Sequence, residues 1–150
     1  THADYLPKMQ EDDELVDFCE ISPELSRDFR GLRVWLPLKM FGIDVFRQQL
    51  DEKLDLTLWT TEELRKIDGI EIVAEPQLSG VAFRYRREGA DLNALNRELL
   101  DRINAKKRVM MTPTIIDGEF IIRICVVSFR THMDRMQMAL EDIRRSVSEL

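Results

Sequence analysis

Arg123 is the residue whose type and setting most invite chemistry. It interrupts Phe120-Ile121-Ile122-Arg123-Ile124-Cys125-Val126-Val127, an apolar run that otherwise reads as a strand buried on both faces. A guanidinium buried alone there is costly, so it calls for a partner. The bland partner is one of the chain's own carboxylates, or water if the strand lies at a sheet edge. The sharper one is a carboxylate or phosphate of a ligand, gripped by the guanidinium fork through two parallel bonds.

Few other residues compete. The chain has no glycine-rich phosphate loop, no GxSxG, no HExxH and no Cys/His pair placed for nucleophilic catalysis. His2 and His132 are the only histidines, and His132 falls in the first turn of an expected helix, where an exposed side chain is the ordinary outcome. Cys19 and Cys125 lie far apart, with no CxxC and no histidine at ligand spacing. No metal site is expected, and the pattern suits free thiols in the reducing cytoplasm. By residue type alone, Tyr5 is a half-buried loop aromatic and Ser26 a serine in the first turn of a helix.

The elements that must position Arg123 follow from hydrophobic period. An acidic stretch at 8–17 lacks either period and reads as loop. Ser22-Pro23-Glu24 has the form of a helix start, and Leu25, Phe29, Leu32 and Leu36 then recur on one face until Pro37, which should kink or break the helix. Past Gly42, Phe46, Leu50, Leu54 and Leu58 mark a second helix by four-residue steps. After Asp68-Gly69 the period becomes extended. Ile70–Ala74 and Val81–Tyr85 form one expected strand pair, and Val109–Ile116 and Phe120–Val127 form another around the hairpin signal Asp117-Gly118.

Between the pairs, Asp91 should cap a helix with apolar face Leu92, Leu95, Leu99 and Ile103. Thr131 and Asp134 resemble a capping box for a last helix burying Met136, Leu140, Ile143 and Val147. Two helices followed by ββαββα imply an α+β fold, with an antiparallel sheet covered by helices.

The bulk numbers agree with one such domain. The chain has 150 residues, 44% of them hydrophobic and 33% charged, as in an ordinary globular protein. A net charge of −6 argues against a nucleic-acid footprint. No apolar run approaches a membrane span or a signal peptide. The chain opens on Thr1, not Met, and reads as the middle of something longer.

Ser22 to Gly42, SPELSRDFRGLRVWLPLKMFG, closely resembles the run after the mobile loop in pyridoxal-phosphate-dependent amino-acid decarboxylases of the aromatic-amino-acid, histidine and tyrosine type. FIIRICVVSFRTH, Phe120 to His132, resembles their C-terminal strand, and ADYLP their loop-tyrosine motif. The likeness is colinear over nearly the whole chain. It implies the small C-terminal domain of a fold-type I pyridoxal-phosphate enzyme, with 1–21 a remnant of the mobile catalytic loop, 22–67 a helical connecting segment and 68–150 the small domain. It also implies a parent that is a homodimer and acts on an amino-acid substrate.

Carried over by position, the resemblance gives Tyr5 the role of donating a proton to the carbon that has lost carbon dioxide, a task a phenol suits in a site closed to water. It makes Arg123 the group that binds the substrate α-carboxylate and holds the breaking bond in line for departure. Ser26 falls where the family places a small residue, Gly or Ser, near the substrate pocket across the dimer interface. Arg27 and Arg30 follow the family's basic pattern, whereas Asp28 stands where relatives often have Arg, which puts an electrostatic role for that cluster in doubt. Tyr at position 5, not Phe, leans toward an amine product over an aldehyde.

The resemblance places the lysine that binds the cofactor upstream of Thr1, together with most other cofactor contacts. Lys106 and Lys107 read as solvated. The chain alone is therefore expected to be inactive and not to hold pyridoxal phosphate. Two other readings stand beside this one, a non-enzymatic α+β ligand-binding or dimerisation module and an aminotransferase of the same fold, the latter disfavoured by SRDFRGLRVW and ADYLP. Titrating pyridoxal phosphate into this chain should give no visible absorption band of lysine-bound cofactor, and a clear band would contradict the account.

Overall fold

The computed structural model describes residues 28–150. Tyr5, Ser26, Arg27, Cys19, His2 and the Ser22-Pro23 helix start lie outside them. The chain divides into two units, Thr1–Gly42 and Ile43–Leu150.

In the first unit, α1 spans Leu32–Phe41. Pro37 lies inside this helix and does not end it, so of the expected kink or break the break does not occur. Its missing N–H forfeits one bond, to the carbonyl four residues back, while its fixed φ stays helical, so the turns on either side continue. The stop comes at Gly42, whose φ of 76° suits glycine and whose N–H reaches Leu38 O at 3.0 Å. No residue of α1 is buried, and Val34, Trp35, Met40 and Phe41 are each more than half exposed.

The second unit holds α2 (Ile43–Arg65), β1 (Ile70–Ala74), β2 (Gly80–Tyr85), α3 (Leu92–Ala105), β3 (Thr112–Ile116), β4 (Glu119–Cys125) and α4 (Met133–Ser148). The four strands form one antiparallel sheet in the order β1-β2-β4-β3, so β4 is a central strand. Helix α2 lies against β1 and β2, α3 lies against β2 and β4, and α4 packs on both helices. The core joins Phe83, Phe120, Ile122 and Ile124 of the sheet to Leu64, Leu99, Ile103, Leu140 and Ile143 of the helices.

The α2 stripe differs from the expected one. Leu50, Leu54 and Leu58 are exposed, and the inward face is Lys53, Leu56, Thr57, Thr60, Thr61 and Leu64. Four-residue leucine spacing marked a real apolar stripe but the wrong side. The buried threonines are tolerated because each hydroxyl donates to the carbonyl four residues back, at 2.7–2.8 Å. Lys53, its side chain 5% exposed, donates to Glu52 Oε2 at 2.6 Å and Thr131 O at 2.7 Å.

That bond bears on the start of α4. The N-cap is His132, with no side-chain cap, so Thr131 and Asp134 do not form a capping box. Lys53 holds the Thr131 carbonyl and Glu52 holds His132 Nδ1 at 2.7 Å, which moves the helix start on by one residue. Asp91 behaves as expected, its Oδ1 accepting from the N–H groups of Asn93 and Ala94 at 3.0 and 3.2 Å. Asp117 and Gly118 both have positive φ, 51° and 81°, the requirement of a two-residue primed hairpin turn.

Three asparagines of α3 tie the helix to the sheet. Asn96 is fully buried; its Oδ1 accepts from Tyr85 N at 2.7 Å and its Nδ2 donates to Tyr85 O and Leu92 O at 2.8 Å. Asn93 makes the same two-way pairing with Phe120 N and Gly118 O, and Asn104 with Met111 N and O. Replacing Asn96 with Ala strands Tyr85 polar groups in the interior, so urea unfolding should show a loss of about 3 kcal/mol. Asn93→Ala, at an exposed position, should lose less than half of that.

Candidate functional site

Strand β4 alternates between two environments. Phe120, Ile122 and Ile124 point into the core, and Glu119, Ile121, Arg123 and Cys125 lie on the opposite face. Of these four only Ile121 is buried. The strand is therefore covered by helices on one side and largely open on the other, which corrects the expectation of burial on both faces. Arg123 is exposed because it falls on the open face, not because β4 lies at an edge.

The pairing register fixes what flanks Arg123. Ala82 of β2 stands opposite it on one side and Thr112 of β3 on the other. Arg123 Nη2 donates to Thr112 Oγ1 at 3.4 Å, a long bond. Among the described residues no carboxylate forms an ion pair with Arg123. The strand segment is held firmly, since Asn93 fixes the hairpin that leads into it and β2 and β3 bracket it.

A second arginine on the same face has the opposite fate. Arg84 Nε donates to Glu71 Oε2 at 2.6 Å and its Nη1 lies 2.5 Å from Glu119 Oε2, so one guanidinium bridges carboxylates of β1 and β4. Its side chain is only 11% exposed. The hydrogen bonds that Arg84 donates to Glu119 and then to Glu71 raise its pKa, with burial opposing. In return the Arg84 hydrogen bond holds the Glu71 carboxyl below its ordinary range, burial again opposing and Arg86 assisting. Sequence reasoning missed this bridge, although Arg84 interrupts an apolar strand just as Arg123 does, with Glu71 at an alternating position of β1.

His132 is not free. It is bonded to Glu52, whose pKa is lowered first by the Lys53 hydrogen bond and then by His132. No group of three or more metal-ligating side chains occurs among the described residues. Their lysines are unsuited to an aldehyde cofactor. Lys53 is buried and doubly bonded, Lys66 and Lys106 are paired with Glu63 and Glu149, and Lys39 and Lys107 stand on the exposed surface. A cleft of about 190 Å³ at the end of β4 is lined by Met111, Cys125, Thr131, Arg135 and Met136 and contains no lysine. A second cleft, of about 450 Å³, is lined by Lys107 with Asn104, Arg108, Val109 and Met110. It has no carboxylate to pair with a pyridinium nitrogen and no aromatic ring to stack on one, so it too lacks the donor set of a pyridoxal-phosphate site. No described helix is long and apolar enough to cross a membrane.

The family model of the pyridoxal-dependent decarboxylase conserved domain matches residues 1–86. An aromatic-L-amino-acid decarboxylase of Bacillus atrophaeus is 32% identical over 139 residues, covering 90% of this chain and 29% of that enzyme. One from Catharanthus roseus is 29% identical over 153 residues, covering 100% and 31%. In structure, the Catharanthus roseus tryptophan decarboxylase in complex with L-tryptophan superposes with a TM-score of 0.80 at 27% identity, over 94% of this chain and 31% of that one. The chain thus spans less than a third of the length of these relatives.

The Arg84 bridge makes a pH prediction. A carboxyl whose folded pKa is depressed contributes stability above its ordinary value, 4.5 for Glu71, and loses that contribution as pH falls below it. Thermal melting of this chain should show stability falling as the solution is acidified through that range. Arg84→Met, which removes the main cause of the depression, should be less stable at neutral pH and should lose less on acidification.

Proposed function

Because the chain belongs to the pyridoxal-dependent decarboxylase family, we propose that it is the C-terminal portion of an L-amino-acid decarboxylase, inactive alone, and that Arg123 binds the α-carboxylate of the substrate. The observation that carries this reading is a guanidinium on a rigid central strand, exposed on the open face of the sheet and paired with no carboxylate of the described residues. Such a group is available to an incoming anion, and its planar fork matches a carboxylate. A strand held on both sides fixes where the acid group sits, which is what a reaction breaking the bond to that group requires.

The remaining parts of the proposal come from the family. Residues 68–150 serve as the small C-terminal domain of a fold-type I enzyme, with 22–67 the helical segment leading into it, and pyridoxal phosphate, the cofactor of this family, is held by residues outside those described. Tyr5 acts as proton donor and Ser26 as a pocket residue reaching across a homodimer, both outside the described residues. An aromatic L-amino acid is the substrate class, in keeping with the names of the relatives.

The test is kinetic. In the longer decarboxylase that carries this chain, Arg123→Met should lower kcat/KM for the amino acid by about 100-fold, the scale of losing charge-assisted hydrogen bonds to a carboxylate. Arg123→Lys, which keeps the charge but not the fork, should recover only part of it. Unchanged kcat/KM in Arg123→Met would remove Arg123 from the site.

A further inference from the structure

The two residues opposite Arg123 differ in a way that bears on how an acid group would reach it. On the β3 side Thr112 offers a hydroxyl oxygen and accepts from Nη2 at 3.4 Å. On the β2 side Ala82 offers only a methyl group. Side chains directly opposite across an antiparallel pair stand about 5 Å apart at Cβ, close enough for a long side chain to reach over its neighbour. A larger residue at either position would occupy space around the guanidinium. A carboxylate at either would neutralise it, as Glu71 and Glu119 do to Arg84.

We propose that Thr112 is a positioning residue for Arg123, and that Ala82 keeps open the side from which a carboxylate docks. The proposal rests on the reading of Arg123 given above and adds how the fork is aimed. A guanidinium has five N–H donors and a carboxylate takes two of them. The bond to Thr112 uses one from Nη2 and draws that end of the fork toward β3, leaving donors for an acid group over Ala82. Without the hydroxyl, a long arginine side chain on an open face samples several rotamers, and binding an anion must then bear the cost of selecting one. Thr112 is itself exposed, so the effect of its hydroxyl on Arg123 is separable from the packing of the core.

The experiment is side-chain NMR on this chain, following the arginine Nε–Hε signals while sodium acetate is added, with acetamide as the uncharged control. Acetate should shift the Arg123 signal saturably and acetamide should not, while the Arg84 signal, already paired with two carboxylates, stays in place. Thr112→Val should weaken acetate binding at Arg123 about fivefold, within the worth of one hydrogen bond. Thr112→Ser, which restores the hydroxyl, should return it to the original strength. Ala82→Leu should weaken it at least as much as Thr112→Val. Backbone amide spectra of each variant show whether the fold persists, and Thr112→Ser supplies the readout should Thr112→Val unfold. If the unaltered chain shows no saturable acetate shift at Arg123, the carboxylate-binding reading itself falls. If it does respond, and Thr112→Val binds acetate equally well, the reading survives and the positioning role of Thr112 is overturned.

Discussion

The sheet face that displays Arg123 can exist only because the other face is sealed, and the seal depends on satisfied backbone groups. Strand ends and hairpin entries leave N–H and C=O groups that must be met once a helix covers them. Helix α3 meets them with asparagine, the uncharged side chain short enough to present a donor and an acceptor side by side. Asn93 serves the turn into β4, Asn96 the end of β2, and Asn104 the approach to β3. The three contacts lie on one helix and reach three different strand termini. They fix the helix along the sheet as well as against it, which apolar packing alone, being non-directional, does not do.

The parts of this fold legible in the sequence are those with local causes. Strand period, the Asp91 cap and the Asp117-Gly118 turn each depend on residues within a few positions of one another; β1, the cap and the turn are found where expected, whereas β3 begins at Thr112 and not Val109 and β4 ends at Cys125 and not Val127. What escaped reading has non-local causes. The buried side of α2 is set by which stripe meets the sheet, and threonines that satisfy their own hydroxyls compete with leucines for that place. The start of α4 is displaced by Lys53 and Glu52, some 78 and 80 residues away in sequence. Neither feature leaves a local signal.

The candidate site was half legible for the same reason. A charge within an apolar strand is visible as a break in pattern, so Arg123 stands out without any structure. Which face it occupies, and what stands across from it, depends on a register involving β2 and β3, distant segments of the chain. The roles proposed for Tyr5 as proton donor and Ser26 as pocket residue fall outside the described residues and rest on family likeness alone.

Two arginines on one face of one sheet form an internal comparison. Arg84 and Arg123 both interrupt apolar strands and both belong to central strands of the sheet. Arg84 has carboxylates on both sides, is nearly covered, and acts as a clasp across β1, β2 and β4. Arg123 has a methyl group on one side and a hydroxyl on the other. A sheet that needed both only for cohesion could provide both with acids, and 28 acidic residues against 22 basic ones leave no shortage. Placing small and neutral neighbours beside one guanidinium forgoes an available ion pair. Such an omission costs the folded chain little while the side chain stays in water, and it leaves the Arg123 guanidinium with a hydroxyl as its side-chain partner and no ion pair among the described residues.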